Sequence, residues 1–138
     1  MDRDIDSLIA LYIAGLCGIA YGLRQIIDTQ AKAGAPIDRI MISGGAGQQD
    51  IVRQLLADGT GVPVVASIAE EPVLLGSAIL GAVASGQFPD MQAAMAAMSS
   101  VSHAYQPAGG AVADKHAARF RQFQALQQVA REGRDAGA

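Results

Sequence analysis

Ile40-Met-Ile-Ser-Gly-Gly-Ala-Gly47 is a short apolar run that closes in three glycines, and the residues after it turn helical. Ile40, Met41 and Ile42 have the composition of a strand covered on both faces. Gly44, Gly45 and Gly47 let the backbone take positive φ and let a ligand approach closely. Residues 50–56 carry Ile51, Val52, Leu55 and Leu56 at helical spacing. A strand ending in a glycine turn that opens a helix is where an open α/β sheet receives a nucleotide. An ordinary tight turn between strand and helix has the same composition, and these residues alone leave both readings open.

Working outward toward the N-terminus, residues 5–33 read as one long helix. Leu8, Tyr12, Leu16, Ile19, Leu23 and Ile26 or Ile27 recur at three- and four-residue steps. Gly34 is the expected stop, with Pro36 just beyond it. Residues 7–23 carry no charge, so a membrane helix is one reading. At 1.5 Å per residue that stretch spans roughly 26 Å, short of the roughly 30 Å hydrocarbon core. The expectation is a helix buried on most sides and no membrane, with Gly15, Gly18 and Gly22 admitting a close neighbour. No basic region or cleavage site marks a signal peptide.

Toward the C-terminus, the helix after the glycine turn is expected to stop near Asp58-Gly59-Thr60-Gly61. Residues 62–65 form a second short strand. Pro72 opens an uncharged helix over 73–85 that reads as deeply buried, and Gly86 ends it. Residues 91–98 form a further helix whose Met91, Met95 and Met98 read as core. Residues 99–110 form a loop. Residues 113–131 form the last helix, with Phe120, Phe123 and Leu126 or Gln127 inward, and the chain after Glu132 reads as frayed.

The 138 residues suit one domain over 1–138, and the apolar half of the composition supplies a core. A net charge of -3 gives no electrostatic case for nucleic acid or an anionic membrane. The one cysteine, Cys17, precludes an internal disulfide and fits a buried site in a reducing, cytoplasmic setting. His103 and His116 lack a metal-ligand partner at short spacing and read as surface or structural residues. The serines lack a nucleophile elbow. Asp38, Asp50, Asp58, Glu70 and Glu71 have structural uses at turns and helix starts. No catalytic residue and no metal ligand is expected.

The ordered motifs resemble the C-terminal part of an FGGY-type carbohydrate kinase of the ribulokinase or pentulose kinase branch. The matching stretches are Gly18-Ile-Ala-Tyr-Gly-Leu-Arg-Gln-Ile-Ile27, Ile42-Ser-Gly-Gly-Ala46, Gln54-x-x-Ala-Asp-x-Thr-Gly-x-Pro-Val64 and the run from Glu71-Pro-Val to Ser85-Gly86. Ala93 to Met98, Pro107 and Lys115-His-x-x-Arg-Phe120 continue the match. The resemblance implies a helix-rich α/β fold with a small sheet, part of an actin- and hexokinase-like (ribonuclease H-like) ATPase. It implies ATP and Mg²⁺ as cofactors and phosphoryl transfer to a sugar hydroxyl.

The adenosine-side role carries onto Gly44, Gly45, Ala46 and Gln49. Gln49 stands where the family often has Asn and offers the same amide on a longer arm. Gln54, Asp58 and Gly76 match positions read as structural. The family's catalytic Asp, sugar pocket and phosphate turns lie upstream of the matched region, so the chain alone is expected to be inactive. The expected partners are ATP or ADP, the missing N-terminal kinase lobe and a second copy of the chain. The alternative is a kinase-derived interaction module that self-associates without binding nucleotide.

Overall fold

The computed structural model describes residues 4–101 and 104–135. Helix α1 (Ile5–Lys32) leads into strand β1 (Ile40–Ile42), a single 3-10 turn (Gly45–Gln48), helix α2 (Asp50–Thr60) and strand β2 (Val64–Ala66). Helices α3 (Pro72–Ala84), α4 (Met91–Met98) and α5 (Ala111–Asp135) follow. The expected helix-rich α/β architecture with a small sheet is present. β1 and β2 are parallel, with Ile40 opposite Val64, Met41 opposite Val65 and Ile42 opposite Ala66, and α2 makes the crossover.

Local chemistry sets most of the boundaries. The Asp4 carboxylate accepts from the Ser7 N–H at 2.7 Å and caps α1. Asp90 does the same for α4 through the Ala93 N–H at 2.8 Å. Pro72 occupies the first turn of α3, where its missing N–H costs nothing. Asp58-Gly59-Thr60 is not the stop of α2 but its last turn. The stop is Gly61, at φ +75, whose N–H donates back to the Ala57 carbonyl.

The core forms where α1 crosses α2. Ala20, Val52, Leu56, Ala57, Val64 and Tyr105 are buried together there. A second cluster joins Cys17 and Tyr21 of α1 to Phe120 of α5. The close approach falls at Gly59, where an added Cβ would lie 2.6 Å from the Ala20 Cβ. Gly15, Gly18 and Gly22 have no such neighbour within 4 Å, contrary to expectation.

Several burial expectations fail among the described residues. α1 is not buried on most sides. Leu8, Tyr12, Ile19 and Ile26 are exposed, and the residues it buries are Cys17, Ala20, Tyr21 and Ile27. At 28 residues α1 is long and apolar enough to cross a membrane by length and composition, although the uncharged stretch alone reads as short. α3 is not deeply buried; Ile79 and Ala82 are, while Val73, Leu74 and Leu80 stand exposed. Met91 and Met95 of α4 are also exposed, and Ala94 is its buried contact. On α5 the inward residue of the Leu126–Gln127 pair is Gln127, which accepts from the Gln25 side chain at 2.7 Å. α5 continues through Glu132 to Asp135. His103 and Ser102 lie outside the described residues.

Candidate functional site

The glycine turn sits at the C-terminal end of β1. Gly44 takes φ +87, a conformation that a β-carbon disfavours. Gly45, Ala46, Gly47 and Gln48 then form the 3-10 turn, and Gln49 is the extended residue that caps α2. The structure therefore brings Gly44, Gly45 and Ala46 into one continuous turn, with Gln49 at the helix start. Gln49 is exposed, and its side chain makes no capping hydrogen bond. Nothing lies within 4 Å of where a Cβ would stand on Gly44 or Gly45, so that side of the turn is open. Gly47 differs: a Cβ there would come 2.8 Å from Ile42 Cγ1, so glycine is required for the turn to fold onto the strand.

Arg53, one turn into α2, clamps this arrangement. Its Nε–H donates to the Gly47 carbonyl. Its Nη1 donates to Asp50 Oδ1 at 3.3 Å and to the Tyr105 hydroxyl at 3.4 Å. The Tyr105 hydroxyl donates in turn to Asp50 Oδ1 at 2.7 Å, and the guanidinium carbon lies 5.6 Å from the Tyr105 ring centroid. Tyr105 is placed by β2: the Val64 N–H donates to the Tyr105 carbonyl at 3.0 Å, and the Tyr105 N–H donates to the Val64 carbonyl at 2.8 Å. Loop, strand, helix and turn are thus tied through two side chains. The Arg53 side chain is mostly covered while the Asp50 carboxylate is largely exposed, so the bond to the Gly47 carbonyl is shielded and the one to Asp50 faces water.

Farther along α2, Gln54 donates to Asp58 Oδ1 at 2.8 Å and to the Gln106 carbonyl at 2.9 Å. Asp58 Oδ1 also accepts the Ala108 N–H at 2.8 Å. Gln54 and Asp58 hold the loop that leads into α5, a structural role. Gly76 has open space about it and makes no close approach. In front of the turn, a groove of about 470 Å³ runs between Gln48, Arg53, Ser67 and the backbone leading to Glu70 and Glu71. A narrow cleft continues from it to Gly44, Gly47 and Pro72. Among the described residues, no three His, Cys, Asp or Glu side chains gather as a metal site.

His116, on α5, is buried near the other end of α2, facing α1. Its Nδ1 shares a 3.0 Å hydrogen bond with the Tyr21 hydroxyl. Burial, more than the nearby Arg119, Lys115 and Arg24 charges, pushes its imidazole below the usual histidine range, and Asp58 opposes the shift in part. Burial likewise pushes the Tyr21 phenol up. The pair is structural.

Sequence reasoning missed Arg53, Tyr105 and the steric need for Gly47. One signal was present: Arg53 is a lone cation among Ile51, Val52, Leu55 and Leu56, six residues after the last glycine. Tyr105 gave none, since its place depends on how a loop returns to β2.

Residues 1–85 match the FGGY family of carbohydrate kinases, C-terminal domain. A human FGGY carbohydrate kinase domain-containing protein is 45% identical over 101 residues, 73% of this chain and 18% of that protein. A D-ribulokinase of Saccharomyces cerevisiae is 39% identical over 89 residues, 64% of this chain and 12% of that one. In structure, the chain is similar to a gluconate kinase from Lactobacillus acidophilus, with a TM-score of 0.63 at 23% identity over 86% of this chain and 23% of that chain. The chain therefore spans only a small part of the length of each protein it matches.

Proposed function

Since this chain belongs to the FGGY family of carbohydrate kinases, as its C-terminal domain, we propose that it holds the adenosine of ATP while the family's phosphoryl transfer to a sugar hydroxyl takes place. The observation that carries this reading is the open glycine turn at the end of a parallel strand, beside a groove of about 470 Å³. Gly44 and Gly45 present bare backbone on which a purine and ribose can lie, with Ala46 continuing the turn. Gln49, at the helix start with its side chain free of capping, reaches the adenine edge with its amide. Arg53 keeps the turn in shape through the Gly47 carbonyl.

ATP is the cofactor of this reading. Mg²⁺ would neutralise phosphate charge during transfer. Its ligands, the catalytic base and the sugar pocket belong to an upstream lobe, the partner of this domain, and the isolated chain is inactive. The substrate class is a pentulose, supported by the likeness to a D-ribulokinase. The setting is cytoplasmic, supported by a lone buried Cys17.

Calorimetric titration with ATP and Mg²⁺ tests the site, with Gly45→Val alongside. The parent binds and the variant does not. Equal binding by both would remove adenosine from this turn. The second reading, an interaction module without nucleotide binding, is favoured by the uncovered apolar sides of α1 and α3. It requires that neither protein binds ATP even with the upstream lobe supplied.

A further inference from the structure

We infer that Tyr105 is a positioning residue for the glycine turn: its hydroxyl, acting through Asp50 and Arg53, sets where that turn stands in the groove. The inference rests on the reading of the turn as the adenosine site. Two segments line the groove. Gln48 and Arg53 come from the turn and α2, and Ser67 to Glu71 come from the stretch after β2. The chain running from α4 to α5 is bonded to both. Val101 bridges Ser67 in antiparallel fashion, and the Ser100 carbonyl accepts the Ile68 N–H at 3.1 Å. Farther along, Tyr105 pairs with Val64 through both backbone groups, and its hydroxyl reaches Asp50.

Asp50 gives that hydroxyl its leverage. It is the first residue of α2, next to Gln49, and Gln49 supplies no side-chain cap. The Asp50 side chain is 78% exposed, so packing does not hold it. Its Oδ1 is held by the Tyr105 hydroxyl at 2.7 Å and by Arg53 Nη1 at 3.3 Å. Arg53 in turn holds the Gly47 carbonyl. The fixed point of this series is Tyr105, which is buried at 8% exposure and tied to β2.

Without the hydroxyl, the Asp50 carboxylate turns into water and Arg53 loses the partner that orients it. The turn then samples several positions, of which a fraction accept adenosine. Apparent affinity falls in proportion to that fraction. The same substitution leaves the segment after β2 in place, because its bonds to Ser100 and Val101 involve backbone groups.

Tyr105→Phe keeps the ring and both backbone bonds to Val64 and removes the hydroxyl alone. Two measurements on the full chain test it. In nuclear magnetic resonance spectra without nucleotide, the backbone amides of Gly45, Gly47 and Gln48 shift on this substitution, while those of Ala82 and Ala84 on α3 stay in place. In calorimetric titration with ATP and Mg²⁺, affinity falls about fivefold, the scale of one hydrogen bond. In an Asp50→Ala background Tyr105→Phe costs no further affinity, because the link is already cut; a Tyr105 that only stabilised the fold would cost the same in both backgrounds. The inference is overturned by turn resonances that do not respond to Tyr105→Phe, by unchanged ATP affinity in the variant, or by equal losses in the two backgrounds. A parent that binds no ATP while its turn resonances answer to Tyr105→Phe overturns the adenosine reading alone and leaves Tyr105 setting the turn.

Discussion

The two ends of α2 both use glycine, and they use it in opposite ways. At the C-terminal end, Gly59 is filled in: a Cβ would meet Ala20 at 2.6 Å, and Tyr21 and His116 stand behind it. At the N-terminal end, Gly44 and Gly45 face open space, and only Gly47 is pressed against the strand. One end spends its missing side chains on helix packing, while the other leaves them unspent. Surface left bare at a strand's end is what a ligand needs, and surface closed by a neighbouring helix is what a core needs.

Substitutions at the two ends sharpen this contrast. The largest effect is expected from Gly59→Val, which forces α1 and α2 apart and costs about 3 kcal/mol in denaturant unfolding. A second change, Ala20→Gly, should recover part of that loss. A Gly59→Val protein as stable as the parent would mean that the crossing is loose.

Arg53→Ala comes next. It leaves the Gly47 carbonyl and Asp50 without their charged donor and lowers stability by about 1–2 kcal/mol. Arg53→Lys should recover little, because a point ammonium cannot serve carbonyl, carboxylate and hydroxyl together.

A smaller effect is expected from pH at the closed end. The folded-state pKa of His116 is depressed, so below about 6.5 the unfolded chain takes up a proton that the folded chain resists. Stability contributed by neutral His116 is full above that pH and declines as pH falls through it. The thermal midpoint of the parent should drop between pH 7.5 and 5.5, and His116→Gln should drop less. Equal slopes would mean that the Tyr21–His116 pair is open to water.

The smallest stability change is expected at the open end. Gly45→Val should shift unfolding by no more than about 0.5 kcal/mol, since its side chain enters solvent. A large loss of ATP binding with so small a loss of stability separates a ligand surface from a structural turn.

The turn itself could be read before any coordinates. Gly44, Gly45, Ala46 and Gln49 follow an apolar triplet and precede a helical pattern, and local rules suffice to place such a turn. The clamp could not be read in the same way. Arg53 meets Tyr105 across 52 residues, and that meeting depends on a loop bridging β2. Burial was misread at α1, α3 and α4 for a related reason. Apolar periodicity reports which face can be covered, and a stripe such as Ile5, Leu8, Tyr12, Ile19 and Ile26 looks the same whether its cover is present or elsewhere.

By itself, the sequence determined the order of elements and the strand–turn–helix unit, because periodicity, glycine turns and capping residues act over a few neighbours, and its ordered motifs carried the family resemblance. Tertiary structure alone decided which glycines are closed and which are open, which face of α1 is core, and that Arg53 and Tyr105 hold the turn. Those outcomes depend on contacts between residues far apart in the chain, whose geometry no local pattern encodes.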